Sequence, residues 1–193
     1  LNRKPLLDLL DRYAARHRDE AACVARFRAF VASRPDCFAR TCQPGHVTAS
    51  AWVFSSDRRR FLLGHHRKLD RWLQLGGHAD GEADVARVAL REAREESGLD
   101  ALVFLGPDGE PGEPFVLDVD VHEIPARPGE PAHAHHDVRF VLVAPEGAEP
   151  RASHESHALA WFGIDELDVL AARGADESLL RLGRKAQALA ARG

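Results

Sequence analysis

Methionine is absent from the 193 residues, and lysine occurs only at Lys4, Lys68 and Lys185. A chain without methionine is expected to lack its usual start, and the arginine-heavy basic charge reads as coding bias rather than as a site. Cysteine is scarce: Cys23, Cys37 and Cys42 form no CxxC pair, and their odd number argues against a disulfide framework and for a reducing compartment. No second pair joins Cys37 and Cys42 to complete a structural zinc site, so all three read as small buried or free thiols. No apolar run approaches the length of a transmembrane helix, and "LNRKPLLDLLDRYAAR" is too charged for a signal peptide. The expectation is a cytoplasmic protein with no membrane partner. A net charge of -4 offers no basic field for nucleic acid. There is no G-x-x-x-x-G-K-[ST], which removes the P-loop class, no HExxH and no internal repeat. What remains, 45% hydrophobic, can bury a sizeable core in one domain with a small appended lobe.

The apolar spacing predicts two helices in residues 1–35, one carrying Leu6, Leu7, Leu9, Leu10 and Tyr13, the other capped by Asp19 and carrying Cys23, Phe27, Phe30 and Val31. Strands are predicted over 46–54 and 60–66, with "RWLQL" (71–75) as a short apolar piece and "GGHADGE" as loop. A helix runs from about Asp84 to Ser97, with Gly98 as a left-handed cap. Strands follow over 115–124, 137–144 and 158–162, with loops at 106–114 and 125–131. Two helices close the chain, from Asp165 and from about Asp176 to Arg192. Mixed strands with central and C-terminal helices indicate an α/β layered domain with a mixed sheet over 45–193, preceded by a helical extension over 1–40.

"REAREESGL" (91–99) holds the main anomaly. On the 84–97 helix Glu92, Glu95 and Glu96 lie at i, i+3 and i+4, on one face beside the apolar side formed by Val85, Ala86, Ala89, Leu90 and Ala93. Like charges at that spacing cost a few tenths of a kcal/mol per pair on an exposed helix, and more when desolvated. A hard divalent cation reverses the sign of that cost, and magnesium commonly bridges carboxylates and substrate phosphates. The plainer explanation is a solvated face paired with Arg91 and Arg94.

Gly76 and Gly77 precede this helix, and Arg91 falls fourteen residues after Gly77. Gly77, Arg91, Glu92, Glu95, Glu96, Gly98 and Leu99, with Ala93 as a small apolar position, then resemble the box of the Nudix hydrolases, G-x5-E-x7-R-E-U-x-E-E-x-G-U. The first glutamate of the box is replaced by Ala83, flanked by Glu82 and Asp84. The resemblance, box-like over 77–99 and broader over about 45–170, implies an α/β/α sandwich that hydrolyses a nucleoside diphosphate linked to another group. It implies that Glu92, Glu95, Glu96 and the Gly76 carbonyl hold Mg²⁺ or Mn²⁺, and that Arg91 orients the glutamates. Glu82 or Asp84 is a candidate replacement for the missing arginine partner. Bound cations would screen the diphosphate and lower the pKa of bound water, leaving mostly positioning and electrostatics to the protein.

A base outside the box is expected, and Glu155, Asp137 and Glu146 are its candidates. Glu155, in a polar loop feeding a short strand, is the general base or an outer metal ligand on this reading; an ordinary exposed glutamate explains it equally well. His133, His135 and His136 cluster, with His122, His154 and His157 near strand ends, and read as loop histidines, some touching substrate, rather than as a zinc site. Of His65 and His66, which alternate on a strand, at most one faces the site. "WLQLGGHAD" is also similar to isopentenyl-diphosphate isomerases, in which a Cys-Gly-His segment supplies an acid–base cysteine and a metal-binding histidine; here His78 matches the histidine but Gly76 stands in the cysteine's place. A non-catalytic nucleotide-binding module is the third reading. The partner expected is a small nucleotide-type molecule. The N-terminal helices, whose apolar faces need covering, either dimerise or pack on the domain.

Overall fold

The chain begins with two helices whose apolar stripes both face inward. Helix α1 (Lys4–Arg16) buries Leu6, Leu10 and Tyr13 at i, i+4 and i+7, and α2 (Ala21–Ser33) buries Val24, Phe27, Phe30 and Val31. A 3₁₀ turn over Arg18–Glu20 runs straight into α2, so the cap position falls to Glu20, without a side-chain cap bond, and not to Asp19 as expected. The Glu20 carboxylate is engaged elsewhere, by Tyr13 and Lys185. This computed structural model describes residues 1–172 and 175–192; Gly193, the last residue of the expected 45–193 domain, lies outside the described residues.

The strands are β1 (Gly45–Phe54), β2 (Arg60–His66), β3 (Arg71–Leu73) and β4 (Leu75–His78), then, after helix α3 (Val85–Ser97), β5 (Val103–Phe104), β6 (Asp118–Ile124), β7 (His133–Val143) and β8 (Ser156–Gly163). Helices α4 (Leu167–Ala172) and α5 (Glu177–Ala190) follow. Asp84 caps α3 by accepting from the N–H groups of Ala86 and Arg87, and Gly98 closes it with φ 67°. Asp176 caps α5.

All eight strands join one mixed sheet among the described residues. β1 runs parallel to β7 from Gly45↔Ala134 to Phe54↔Val143. That pairing draws β7 back to His133, earlier than the expected start at 137. On its other edge β1 changes partner: Thr48–Ala51 pair with β4, while Val53 and Phe54 pair with β2. The sheet therefore opens between β4 and β2. The expectation that "GGHADGE" is wholly loop fails here, because Gly76–His78 pair with β1. Glycine is a poor strand former by propensity, but Ser50 packs so closely against Gly76 that no side chain fits there. Backbone approach decides the strand, and only glycine permits it.

Alternation sorts the sheet into two faces. Val47, Ala49, Ala51 and Val53 of β1, with Val138, Phe140 and Leu142 of β7, pack against α1, α2 and α3. Trp52, Phe54, Val141 and Val143 point the other way, against α4 and α5. The result is an α/β/α sandwich, and the apolar faces of α1 and α2 are spent on the sheet.

The second face turns polar beyond its apolar contact with α4 and α5, and α5 supplies charged side chains there. Asp118, with no exposed surface, receives Arg139 at 3.1 Å, Arg181 at 2.9 Å and Lys185 at 2.6 Å, and Tyr13 donates to it from α1 at 3.3 Å. Burial alone would raise the Asp118 pKa; the bond from Arg181 and the charges of Arg139 and Lys185 hold it below the usual carboxylate range. Arg139 continues to Asp120 at 3.2 Å and Asp137 at 2.9 Å. Removing one member of a buried charged set leaves the others uncompensated. Asp118→Asn is expected to destabilise the chain by about 3–5 kcal/mol, read as a lowered urea midpoint. A midpoint equal to the parent's would show that the network contributes nothing net.

Candidate active site

The opening between β4 and β2 holds a cavity of about 520 Å³. Gly76, Gly77 and His78 of β4, Gly64 and His66 of β2, Glu92, Glu95 and Glu96 of α3, and His154, Glu155 and Ser156 at the start of β8 all line it. Thr48 and Ser50 form part of its floor, with Asp137 behind them. Arg40, Arg67 and Lys68 supply positive charge around it, although Arg40 is already paired with Asp80 at 2.8 Å.

The three glutamates differ in setting. Glu95 is largely exposed and 4.0 Å from Arg91. Glu92 is mostly covered, and Arg91 donates to it at 2.5 Å while also donating to the His78 carbonyl at 3.0 Å. Glu96 is buried, and its Oε2 accepts from the Gly76 N–H at 3.0 Å. Burial raises the Glu92 pKa against the pull of Arg91. Glu96 is pushed up to about 8, first by burial and then by the charges of Glu92, Glu155 and Glu95, against the Gly76 N–H that favours its ionised form. Glu92, Glu95, Glu96 and Glu155 thus face one cavity, with Asp80 and Asp137 also in its lining and the Arg91 guanidinium bonded to Glu92. An all-oxygen donor set of this kind suits a hard divalent cation.

Glycine at 77 has a specific function in this arrangement. A Cβ there would run into the carboxyl group of Glu92. Because that group is the end of a flexible side chain, Gly77→Ala should leave the fold intact and displace Glu92. Mg²⁺ affinity by calorimetry is expected to fall at least about 10-fold, the scale on which disturbed ligand support acts, with an unchanged circular-dichroism spectrum. Unaltered affinity would show that Glu92 is not a ligand.

Neither flank of Ala83 takes over the missing glutamate's contact. Asp84 is spent on the helix cap, and Glu82 accepts from the Asp84 N–H and lies 3.7 Å from Arg87. Among the described residues, the carboxylates within ion-pair reach of Arg91 are Glu92 and Glu95. Ala83 itself packs against the core.

The candidates for a base separate by position. Glu155 lines the cavity, its backbone held by a bond from the Arg67 N–H to its carbonyl at 2.9 Å. Asp137 also reaches the lining, but its oxygens accept from Thr48, Ser50 and Arg139 at 3.0, 2.8 and 2.9 Å. Glu146 is exposed in the turn after β7 and is not among the lining residues. Of the histidine pair on β2, His66 lines the cavity and His65 packs at a tilt against Trp72. His136 points to the other face and stacks on Phe30. None of Cys23, Cys37 and Cys42 lines the cavity.

Sequence reasoning passed over His46, Thr48 and Ser50. The signal was there: in "HVTASAWVF" these three alternate with apolar residues at period two, which puts a polar row on one face of an otherwise apolar strand.

The buried Glu96 makes a pH prediction with a definite sign. Between the ordinary glutamate value and about 8, the folded metal-free chain holds a proton that the unfolded chain has released. Stability from this group is therefore lost as pH rises through that window. In chelator, Glu96→Gln should gain melting temperature relative to the parent from pH 5 to pH 8, and added Mg²⁺ should shrink the difference. A difference flat across the range would contradict this.

Comparison with protein families matches the NUDIX domain over residues 44–182. A solved NUDIX-family hydrolase from Clostridium perfringens is 24% identical with a TM-score of 0.59, covering 75% of this chain and 97% of its own. The Ap4A hydrolase of C. elegans is 18% identical with a TM-score of 0.57, over 75% of this chain and 97% of its own. The dihydroneopterin triphosphate pyrophosphohydrolase of E. coli is 18% identical with a TM-score of 0.53, over 72% and 92%. These likenesses are of fold. Comparison with curated protein sequences gives no match.

Proposed function

Because the chain belongs to the Nudix family of pyrophosphohydrolases, we propose that it cleaves the diphosphate bond of a nucleoside diphosphate linked to another group, using Mg²⁺ or Mn²⁺. The observation that carries this reading is the convergence of Glu92, Glu95, Glu96 and Glu155 on one cavity, with Arg67 and Lys68 also in its wall. Glu92, Glu95, Glu96 and the Gly76 carbonyl are the groups we assign to the metal. A divalent cation held there would screen the diphosphate charge and make water more acidic.

The remaining work belongs to this chain's own residues. Arg91, tied to the His78 carbonyl, holds the Glu92 carboxylate in place. The Gly76 N–H fixes one oxygen of Glu96. Arg67 and Lys68 offer charge to the phosphates as they enter. Glu155 accepts the proton of the attacking water at its carboxylate, and its place on a loop anchored to Arg67 lets it reach the reacting phosphorus without distorting the sheet.

The isomerase reading lacks its thiol: Gly76 occupies that place, and the cavity has no cysteine. Three free thiols support a reducing, cytoplasmic setting; no helix among the described residues is long and apolar enough to cross a membrane. With α1 and α2 packed on the sheet, a homodimer would use another surface.

The test is a panel of nucleotide sugars, dinucleoside polyphosphates, ADP-ribose, nucleoside triphosphates and coenzymes with Mg²⁺ or Mn²⁺, products identified by mass. Absence of any metal-dependent cleavage would favour a binding module that keeps the fold alone. On the substrate found, Glu155→Gln is expected to lower kcat by about 10²–10⁴-fold with KM and folding nearly unchanged, the loss easing at higher pH. A kcat close to the parent's would remove Glu155 from the mechanism.

A further inference from the structure

One cluster in the cavity wall is not used by the hydrolase reading. His46 stands directly opposite His135 in the β1–β7 pairing, and His135 directly opposite His122 in the β6–β7 pairing. Thr48, on the same face of β1 as His46, is paired with His78 of β4. The register thus brings three imidazoles from three strands to one spot. A ligating nitrogen from each of His46, His78 and His135 lies within 4.8 Å of the other two. Their ring centroids are 4.8–5.1 Å apart.

His46 is the strongest part of the observation. It is 1% exposed, and neither ring nitrogen has a hydrogen-bond partner. A neutral imidazole carries one N–H and one lone pair, and burying both unpaired costs about 1–3 kcal/mol per group. Buried polar groups in native structures are almost always satisfied, so an aromatic stack alone does not account for this side chain. An acidic partner is no answer either, since none of the ion pairs made by the described residues involves His46. Burial first, and then its imidazole neighbours, hold its pKa down at about 4, so the ring is in the neutral form that binds metals.

We propose that His46, His78 and His135 form a second metal site, for a borderline transition metal of the zinc class. The site is distinct in chemistry from the carboxylate cluster: three neutral nitrogens select zinc-like ions over magnesium, which prefers oxygen and keeps its water. Small side-chain rotations bring three nitrogens from this spacing to the roughly 2.0–2.1 Å of a Zn–N bond. His133 supports the set. Its Nδ1 donates to the Pro131 carbonyl at 2.9 Å, and its Nε2 lies 3.3 Å from Nε2 of His135, orienting that ring. His78 and His135 line the cavity while His46 sits behind them, so three protein ligands leave a coordination position facing the substrate space. That is the arrangement of open zinc sites, in which water or a ligand oxygen fills the fourth place.

The experiment titrates the metal-stripped full chain, in excess Mg²⁺, with Zn²⁺ by calorimetry and with Co²⁺ by visible absorbance. One Zn²⁺ per chain is expected, with Co²⁺ bands characteristic of low coordination number. His78→Gln and His135→Gln, both partly exposed positions whose exchange spares the core, should each weaken Zn²⁺ by more than the roughly 10–100-fold that loss of an outer partner costs. His46→Phe, which keeps the ring stack, should do the same; the two glutamine variants decide the matter if it does not fold. Glu95→Gln/Glu96→Gln should retain the Zn²⁺. No stoichiometric Zn²⁺ in the parent, or binding that follows Glu95 and Glu96 and ignores the histidines, would overturn the proposal. Mg²⁺-dependent cleavage is measured separately, and its failure would bear on the hydrolase reading alone.

Discussion

A single carboxylate with no exposed surface organises this molecule. Asp118 takes charge-assisted bonds from β7 and α5 and a hydroxyl bond from α1. Burying an anion is tolerable only when cations and donors surround it, and here Arg139, Arg181, Lys185 and Tyr13 do so. The line does not stop there. Arg139 passes to Asp137, and Asp137 holds the hydroxyls of Thr48 and Ser50 on the cavity floor. The position of the floor is therefore set through a chain of buried charges, in which the Asp137 oxygens are already engaged by Thr48, Ser50 and Arg139.

The cavity wall opposes two kinds of unfavourable burial. On one side burial, with neighbouring carboxylates adding to it, drives Glu96 up to about 8. On the other, burial, with neighbouring imidazoles adding to it, holds His46 down at about 4. Each group gives up its charge in the absence of a counter-ion, and each set offers lone pairs of a different hardness. The imidazoles are brought together by strand register, the carboxylates by helix α3 and the loop before β8. The partner switch of β1, from β4 to β2, supplies the space between them.

Much of this was legible in the sequence. The helical stripes of α1 and α3 follow from apolar spacing, and Glu92, Glu95 and Glu96 share a face because the period of a helix requires it. The αL cap at Gly98 follows from glycine after an amphipathic run. What escaped was decided by contacts distant in sequence. Gly76 and Gly77 read as loop because glycine disfavours strands, yet one must clear Ser50 and the other Glu92. The histidines of β7 looked like a loop cluster until parallel pairing with β1 extended the strand and split them, His135 to the cavity and His136 to Phe30. His46, a lone histidine opening a strand, carries no local signal that two others will meet it.

The bond from Lys185 to the Tyr13 hydroxyl joins positions 172 residues apart. At synthesis rates of about 5–20 residues per second, roughly ten to thirty seconds separate the emergence of the two partners from the ribosome. Until β1 (Gly45–Phe54) and β7 (His133–Val143) have followed, α1 and α2 lack the sheet face that covers Phe27, Phe30 and Val31. The apolar face of α2 is therefore made before the sheet that covers it, and before Glu92, Glu95 and Glu96 exist to form a site.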